Sequence, residues 1–159
     1  WWSPPERMVL FLEDLKVSKS MRNIINRGIY KVTFNTAFRD VITNCRDIKR
    51  DGQPGTWIND DMTEAYCRLN ALGFAKSVEV WQEGELVGGL YGVDRGHIFC
   101  GESMFSKASN ASKVAFIALV KQLQMAGYKL LDCQVHNDHL ESLGAREIAR
   151  DDFLRILKS

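Results

Sequence analysis

Histidine, cysteine and proline are scarce in this chain of 159 residues, which holds three, four and three of them respectively. The histidines, His97, His136 and His139, are too few and too unevenly spaced for a zinc site, so no metal is expected. The cysteines, Cys45, Cys67, Cys100 and Cys133, lie far apart and form no CxxC pair. Three of them sit in apolar segments, as reduced, buried thiols of a cytoplasmic protein do. No apolar run approaches the ~20 residues that cross a bilayer, so no membrane partner is expected. The opening "WWSPPERM" lacks the basic segment and apolar run of a signal peptide. Repeats and low-complexity stretches are also missing. What remains is an ordinary soluble balance, 45% hydrophobic and 26% charged, in a length suited to one domain with a real core. Residues 1–35 can be read as the remnant of a smaller N-terminal subdomain.

Net charge is only +1, yet residues 1–50 carry ten basic side chains against five acidic, and the remainder eleven against fifteen. A basic first third suits a polyanion, and an acidic remainder suits a cationic group. A solvated surface of uneven charge explains composition alone equally well.

Met8–Leu12 reads as a strand. Ser18 caps a helix through about Asn26 that Gly28 stops, and 29–34 alternates like a strand. Thr36 is expected to cap a helix over 37–46, and a polar loop with turns at Asp51-Gly52 and Pro54-Gly55 follows. Asp60 or Asp61 should cap a helix ended by Gly73. Residues 75–103 read as a β-meander with turns at Glu83-Gly84 and Arg95-Gly96. A buried helix capped near Ser109 ends at Gly127, then come a strand over 129–135 and helices near 137–143 and 151–157. This order predicts an α+β protein, with a mostly antiparallel central sheet and helices on both faces.

The stretch "LLDCQVHNDHLESLGA" (130–145) poses the chemical question. Leu131, Cys133 and Val135 alternate with Asp132, Gln134 and His136, so a carboxylate and a carboxamide share one strand face just before Asn137. A polar strand end that caps the next helix would explain them structurally.

The meander, helix and "LLDCQV" strand together resemble the GNAT acyltransferase fold, in which two strands splay apart and donor and acceptor meet in the gap. Acetyl-CoA members hold pyrophosphate on a glycine-rich loop. Here "GESMFSKASNAS" (101–112) lacks those glycines and offers Glu102, which would repel pyrophosphate. The stretches "WWSP", "GTWI", "ELVGGLYGV", "FCGESMFS", "NASK" and "DCQVHNDH" with "SLGA", in order from Trp1 to about Leu157, resemble the leucyl/phenylalanyl-tRNA–protein transferases. The resemblance implies a bacterial cytoplasmic enzyme that moves Leu or Phe from charged tRNA to the N-terminal amine of proteins beginning with Arg or Lys. That marks them for degradation by the N-end rule. It implies no cofactor, neither CoA, nucleotide nor metal. A monomer is expected. Members of the family normally carry a region before "WWSP", so the chain reads as a shortened form.

Carried over residue by residue, the resemblance makes Asp132 and Gln134 catalytic: the Asp polarises the Gln, whose amide oxygen draws the proton from the attacking amine. A neutral amide is a poor base, so alignment of the amine is the competing account. Trp57 and Tyr66 match aromatic positions around the terminal adenosine of the tRNA, and Glu102 and Asn137 match polar contacts to it. Leu90, Phe99, Phe116, Leu119 and Leu123 match the pocket for the donor's side chain. The last three also fit a plain core stripe at helical spacing. Lys16, Lys19, Arg22, Arg27 and Lys31 are candidates for acceptor-stem phosphates. Two other classes compete. One is a non-catalytic module that binds tRNA ends or N-terminal peptides. The other is Fem-like peptide-bridge synthesis from aminoacyl-tRNA.

Overall fold

The computed structural model describes residues 5–48, 58–134 and 136–159. Strand β1 (Glu6–Phe11) leads through a tight turn to α1 (Lys19–Asn26), where the Ser18 hydroxyl accepts the Met21 N–H at 3.1 Å, as expected of a capping serine. Then follow β2 (Lys31–Phe34), α2 (Phe38–Asp47) and α3 (Asp60–Ala71). The meander is β3 (Ala75–Gln82), β4 (Glu85–Asp94) and β5 (Ile98–Ser106). Its first turn has positive φ at both Glu83 and Gly84, the twist that a two-residue hairpin needs. The chain ends with α4 (Ala111–Met125), β6 (Leu130–Gln134), α5 (Asp138–Glu141), β7 (Arg146–Ala149) and α6 (Arg150–Lys158).

These strands form one seven-stranded sheet in the order β2-β3-β4-β5-β6-β1-β7. Every pairing is antiparallel except β5 with β6. That parallel pair spans only Ile98–Cys100 against Leu130–Asp132, after which the two strands part. Helices cover both faces. The apolar side of α4 packs with Met8, Leu10, Val78, Val80 and Leu131. On the other face α2 closes over Ala75, Tyr91 and Phe105, and Phe153 of α6 closes over Val9, Ile98 and Leu130. Glycine sets one of these distances: a Cβ on Gly88 of β4 would stand 2.6 Å from the Ala111 Cβ at the start of α4.

Two expected caps are replaced. Thr36 does not cap α2, because its hydroxyl and N–H both donate to the buried Glu79 carboxylate, at 2.7 and 3.1 Å. Asn59, rather than Asp60 or Asp61, caps α3 by accepting the Met62 N–H at 2.8 Å. At α4 the cap position is Asn110 in a left-handed conformation, and the neighbouring Ser109 carbonyl accepts the Tyr30 hydroxyl. Strand β7 was not anticipated: its four residues show no alternation and become a strand only by pairing with β1. The predicted turns at 51–52 and 54–55, Trp57 and Val135 lie outside the described residues.

Candidate active site

A cavity of about 350 Å³ opens where β5 and β6 part. It is lined by Leu90 and Tyr91 of β4, Gly101–Met104 of β5, Phe116 and Leu119 of α4, Leu131–Gln134 of β6, and Asn137 and Leu140 around α5. Seven residues singled out from the sequence meet here: Leu90, Glu102, Phe116, Leu119, Asp132, Gln134 and Asn137. Phe99 and Leu123 do not line it; both are buried in the core behind its wall. Tyr66 reaches in from α3 by a hydrogen bond to Glu102, while its ring stands edge-on to Tyr91 at 5.3 Å. Met104, Leu131 and Leu140 widen the apolar wall beyond what the sequence suggested. Asn137 also caps α5, its Oδ1 accepting the Leu140 N–H at 3.2 Å.

Asp132 is wholly buried and never bare. Arg7 of β1 donates to it twice, Nε to Oδ1 at 3.0 Å and Nη2 to Oδ2 at 2.6 Å. Nothing in the sequence marks this partner, because Arg7 and Asp132 meet only through the pairing of β1 with β6. That pairing slips between Met8 and Val9, leaving Cys133 as the extra residue of a bulge. Gln134 beyond it takes φ +69°. Its backbone N–H donates to Asp132 Oδ1 at 3.0 Å, and its side-chain Nε2 donates to the Gly101 carbonyl at 2.9 Å. Asp132 and Gln134 are thus joined through the Gln134 backbone.

Glu102 faces the cavity from β5. It does not belong to the turn before α4, where a pyrophosphate loop would lie. Burial pushes its carboxyl above the usual carboxylate range, and hydrogen bonds from Gln134 and Tyr66 oppose that shift. The Tyr66 phenol is raised too, by burial first and by the Glu102 charge second. Burial pushes the Cys100 and Cys133 thiols up to about 12, so both remain thiols at neutral pH. His136 is exposed, held 2.8 Å from Glu141, and His139 is half-buried within the electrostatic reach of Lys113; neither lines the cavity.

Lys16, Lys19, Arg22, Arg27 and Lys31 are all exposed around α1 and the start of β2. Among the described residues none of the five forms an ion pair. No helix among the described residues is long and apolar enough to cross a membrane.

Residues 9–158 match the family model described as leucyl/phenylalanyl-tRNA protein transferase. A leucyl/phenylalanyl-tRNA–protein transferase of Flavobacterium johnsoniae is 65% identical over 159 residues, all of this chain and 75% of the relative. One from Pseudomonas entomophila is 56% identical over 153 residues, 96% of this chain and 67% of the relative. Among solved structures, L-PGS from Bacillus licheniformis superposes with a TM-score of 0.55 at 15% identity, over 86% of this chain and 47% of that one. An aminoglycoside acetyltransferase from a soil metagenome gives 0.53 at 14% identity, over 84% of this chain and 90% of that one. At such identities the likeness speaks for the fold, an acetyltransferase-like splayed sheet.

Proposed function

The chain belongs to the leucyl/phenylalanyl-tRNA protein transferase family, and from that premise we propose that it moves leucine or phenylalanine from charged tRNA to the N-terminal α-amine of proteins beginning with Arg or Lys. The added residue would mark those proteins for degradation in the bacterial cytoplasm, and the enzyme would act as a monomer. The amine nitrogen attacks the ester carbonyl, the new C–N bond replaces the ester C–O bond, and the amine's proton passes to the departing ribose oxygen. Because the ester is already activated, alignment of a neutral amine is the main task of the protein.

One observation carries this proposal: the Gln134 amide is held at the mouth of the opening. Its nitrogen donates to the Gly101 carbonyl, and its side chain is bonded to Glu102. With the nitrogen so engaged, the carbonyl oxygen is the group left to accept a hydrogen bond from the incoming amine. Asp132 contributes by holding the Gln134 backbone, which favours alignment over a charge relay between side chains. Leu90, Phe116, Leu119, Leu131 and Met104 supply an apolar recess for the donor's side chain. Tyr66, Trp57 and Asn137 would meet the terminal adenosine. The five basic residues around α1 and β2 would neutralise acceptor-stem phosphates and give salt-sensitive affinity.

The test is transfer of labelled Leu or Phe from tRNA to a peptide beginning with Arg. The parent chain should transfer both, and Gln134→Ala should lose about 100-fold in kcat. Binding of tRNA without transfer would instead make the chain a recognition module.

A further inference from the structure

The transfer chemistry outlined above makes no use of Arg7, the strongest partner in the site. The structure gives the Asp132 carboxylate three donors: Arg7 Nε and the Gln134 N–H on Oδ1, and Arg7 Nη2 on Oδ2. Held at both oxygens and with no exposed surface, it is engaged by these partners rather than turned to an incoming amine. What it holds is the Gln134 backbone, in a left-handed conformation at φ +69°. For a residue with a Cβ this conformation is strained and persists only where neighbours over-determine it. Arg7 is itself fixed from a third side, its guanidinium 4.7 Å over the Phe153 ring of α6. Its side chain keeps only 18% of its surface exposed, and that of Asp132 keeps none.

We propose that Arg7 is a positioning residue for the transfer reaction: by pinning the Asp132 carboxylate it fixes the left-handed turn at Gln134, and so the direction in which the Gln134 amide meets the acceptor amine. This rests on the proposed transfer activity. The physical step is the stranding of a buried charge. Without Arg7 the Asp132 carboxylate, which has no exposed surface of its own, loses its cation, and it must move or recruit another partner. Either response takes the acceptor away from the Gln134 N–H. Removing both charges strands nothing. An asparagine at 132 still offers a carbonyl oxygen to that N–H, so Arg7→Met with Asp132→Asn should be less damaged than Arg7→Met alone.

Two measurements on the whole chain decide it: backbone amide exchange at Gln134 by NMR, and transfer kinetics with labelled Phe-tRNA and an Arg-initiated peptide. In Arg7→Met the Gln134 amide should exchange at least about tenfold faster while the α4 amides keep their protection. Its kcat should fall on the order of 100-fold, with KM for Phe-tRNA within about threefold. Arg7→Lys restores a point charge without the fork and should lie between the two. The double variant should regain Gln134 protection and come within about tenfold of the parent kcat. Unchanged Gln134 exchange in Arg7→Met overturns the proposal. So does a double variant that regains protection but no activity, since the Asp132 charge would then itself serve the reaction. A parent chain without transfer would remove the proposed function, and the exchange comparison would still decide whether Arg7 holds Gln134.

Discussion

Glu102 and Gln134 hydrogen-bond to each other across the opening between β5 and β6, and Tyr66 reaches the same carboxylate from α3. Burial is the largest influence on Glu102 and raises its carboxyl above the ordinary value of 4.5, the two hydrogen bonds working the other way. The ionised form is the one that accepts from Gln134. Lowering the pH through the raised pKa therefore loosens Gln134, and kcat should fall at a pH above the range of an ordinary glutamate. Glu102→Gln removes that acid limb and leaves the limb of the substrate's α-amine, near ~7.7–8.0. The stability sign is opposite. A raised carboxyl stabilises the fold at low pH and loses that contribution as pH rises through its folded pKa, a slope that Glu102→Gln should lack. Rate profiles of parent and variant with the same acid limb would remove Glu102 from this role.

The recess proposed for the donor's side chain has a wall that can be moved without touching the polar groups. Phe116 and Leu119 face the cavity from successive positions on one side of α4, with Leu90 opposite on β4. Leu119→Phe fills space that phenylalanine needs more than leucine does. The ratio of kcat/KM for Phe-tRNA over Leu-tRNA should drop by about tenfold or more, the scale on which pocket shape discriminates. Leu123→Ala is the control, because Leu123 is buried behind the wall. It should cost ~2–5 kcal/mol of stability and leave that ratio unchanged.

Much of this was visible in the sequence, and the parts that were not share a cause. Periodicity and turn residues located the meander, the helix over Ala111–Met125 and the strand that ends at Gln134, because those signals are local. Alternation also placed Leu131 and Cys133 toward one core and Asp132 away from it. What failed to show depends on pairing between distant segments. Strand β7 exists only against β1, and Arg7 meets Asp132 only through the register of β1 on β6. The cap at Thr36 went wrong for a related reason: it is a good capping residue, but Glu79 claims it. Separating Leu90, Phe116 and Leu119 from Phe99 and Leu123 required the geometry of the open side, since all five share the apolar character of a core.

Gly88 and Ala111 set how closely α4 lies on the sheet. A Cβ at Gly88 would come within 2.6 Å of the Ala111 Cβ and 3.0 Å of the Ala111 carbonyl carbon. Neither atom is the tip of a flexible chain, so in Gly88→Ala the start of α4 must lift. The expected loss is ~1–3 kcal/mol, the usual size for overpacking. Because Phe116 and Leu119 ride on α4, KM for both charged tRNAs should rise as well. Ala111→Gly in the same chain removes the closer contact and should return part of both effects. Additive losses in the double variant, by denaturant unfolding and kinetics, would show that the two positions do not press on each other.

Glu79 provides a test of what fastens the edge of the sheet. It has no exposed surface, and its carboxylate accepts from the Thr33 hydroxyl at 2.8 Å, from Thr36 through both hydroxyl and N–H, and from the Ser77 hydroxyl. All of these donors are neutral. Together they tie β2, the outermost strand at this end, and the turn that follows it to β3. Thr33 in turn accepts the Trp81 indole N–H at 2.8 Å, extending the network along β3. Glu79→Ala leaves several partly buried donors without an acceptor, which should cost ~2–4 kcal/mol. Glu79→Gln keeps one carbonyl oxygen but turns an amide NH₂ toward donors, for a smaller loss of ~1–2 kcal/mol. Urea unfolding should therefore order the midpoints Glu, Gln, Ala from highest to lowest, with m unchanged. Amide exchange should show the losses first at Lys31–Phe34, ahead of β4 and β5. Equal midpoints for Gln and Ala would mean that water serves these donors as well as the side chain does, and that β2 is held by its backbone ladder alone.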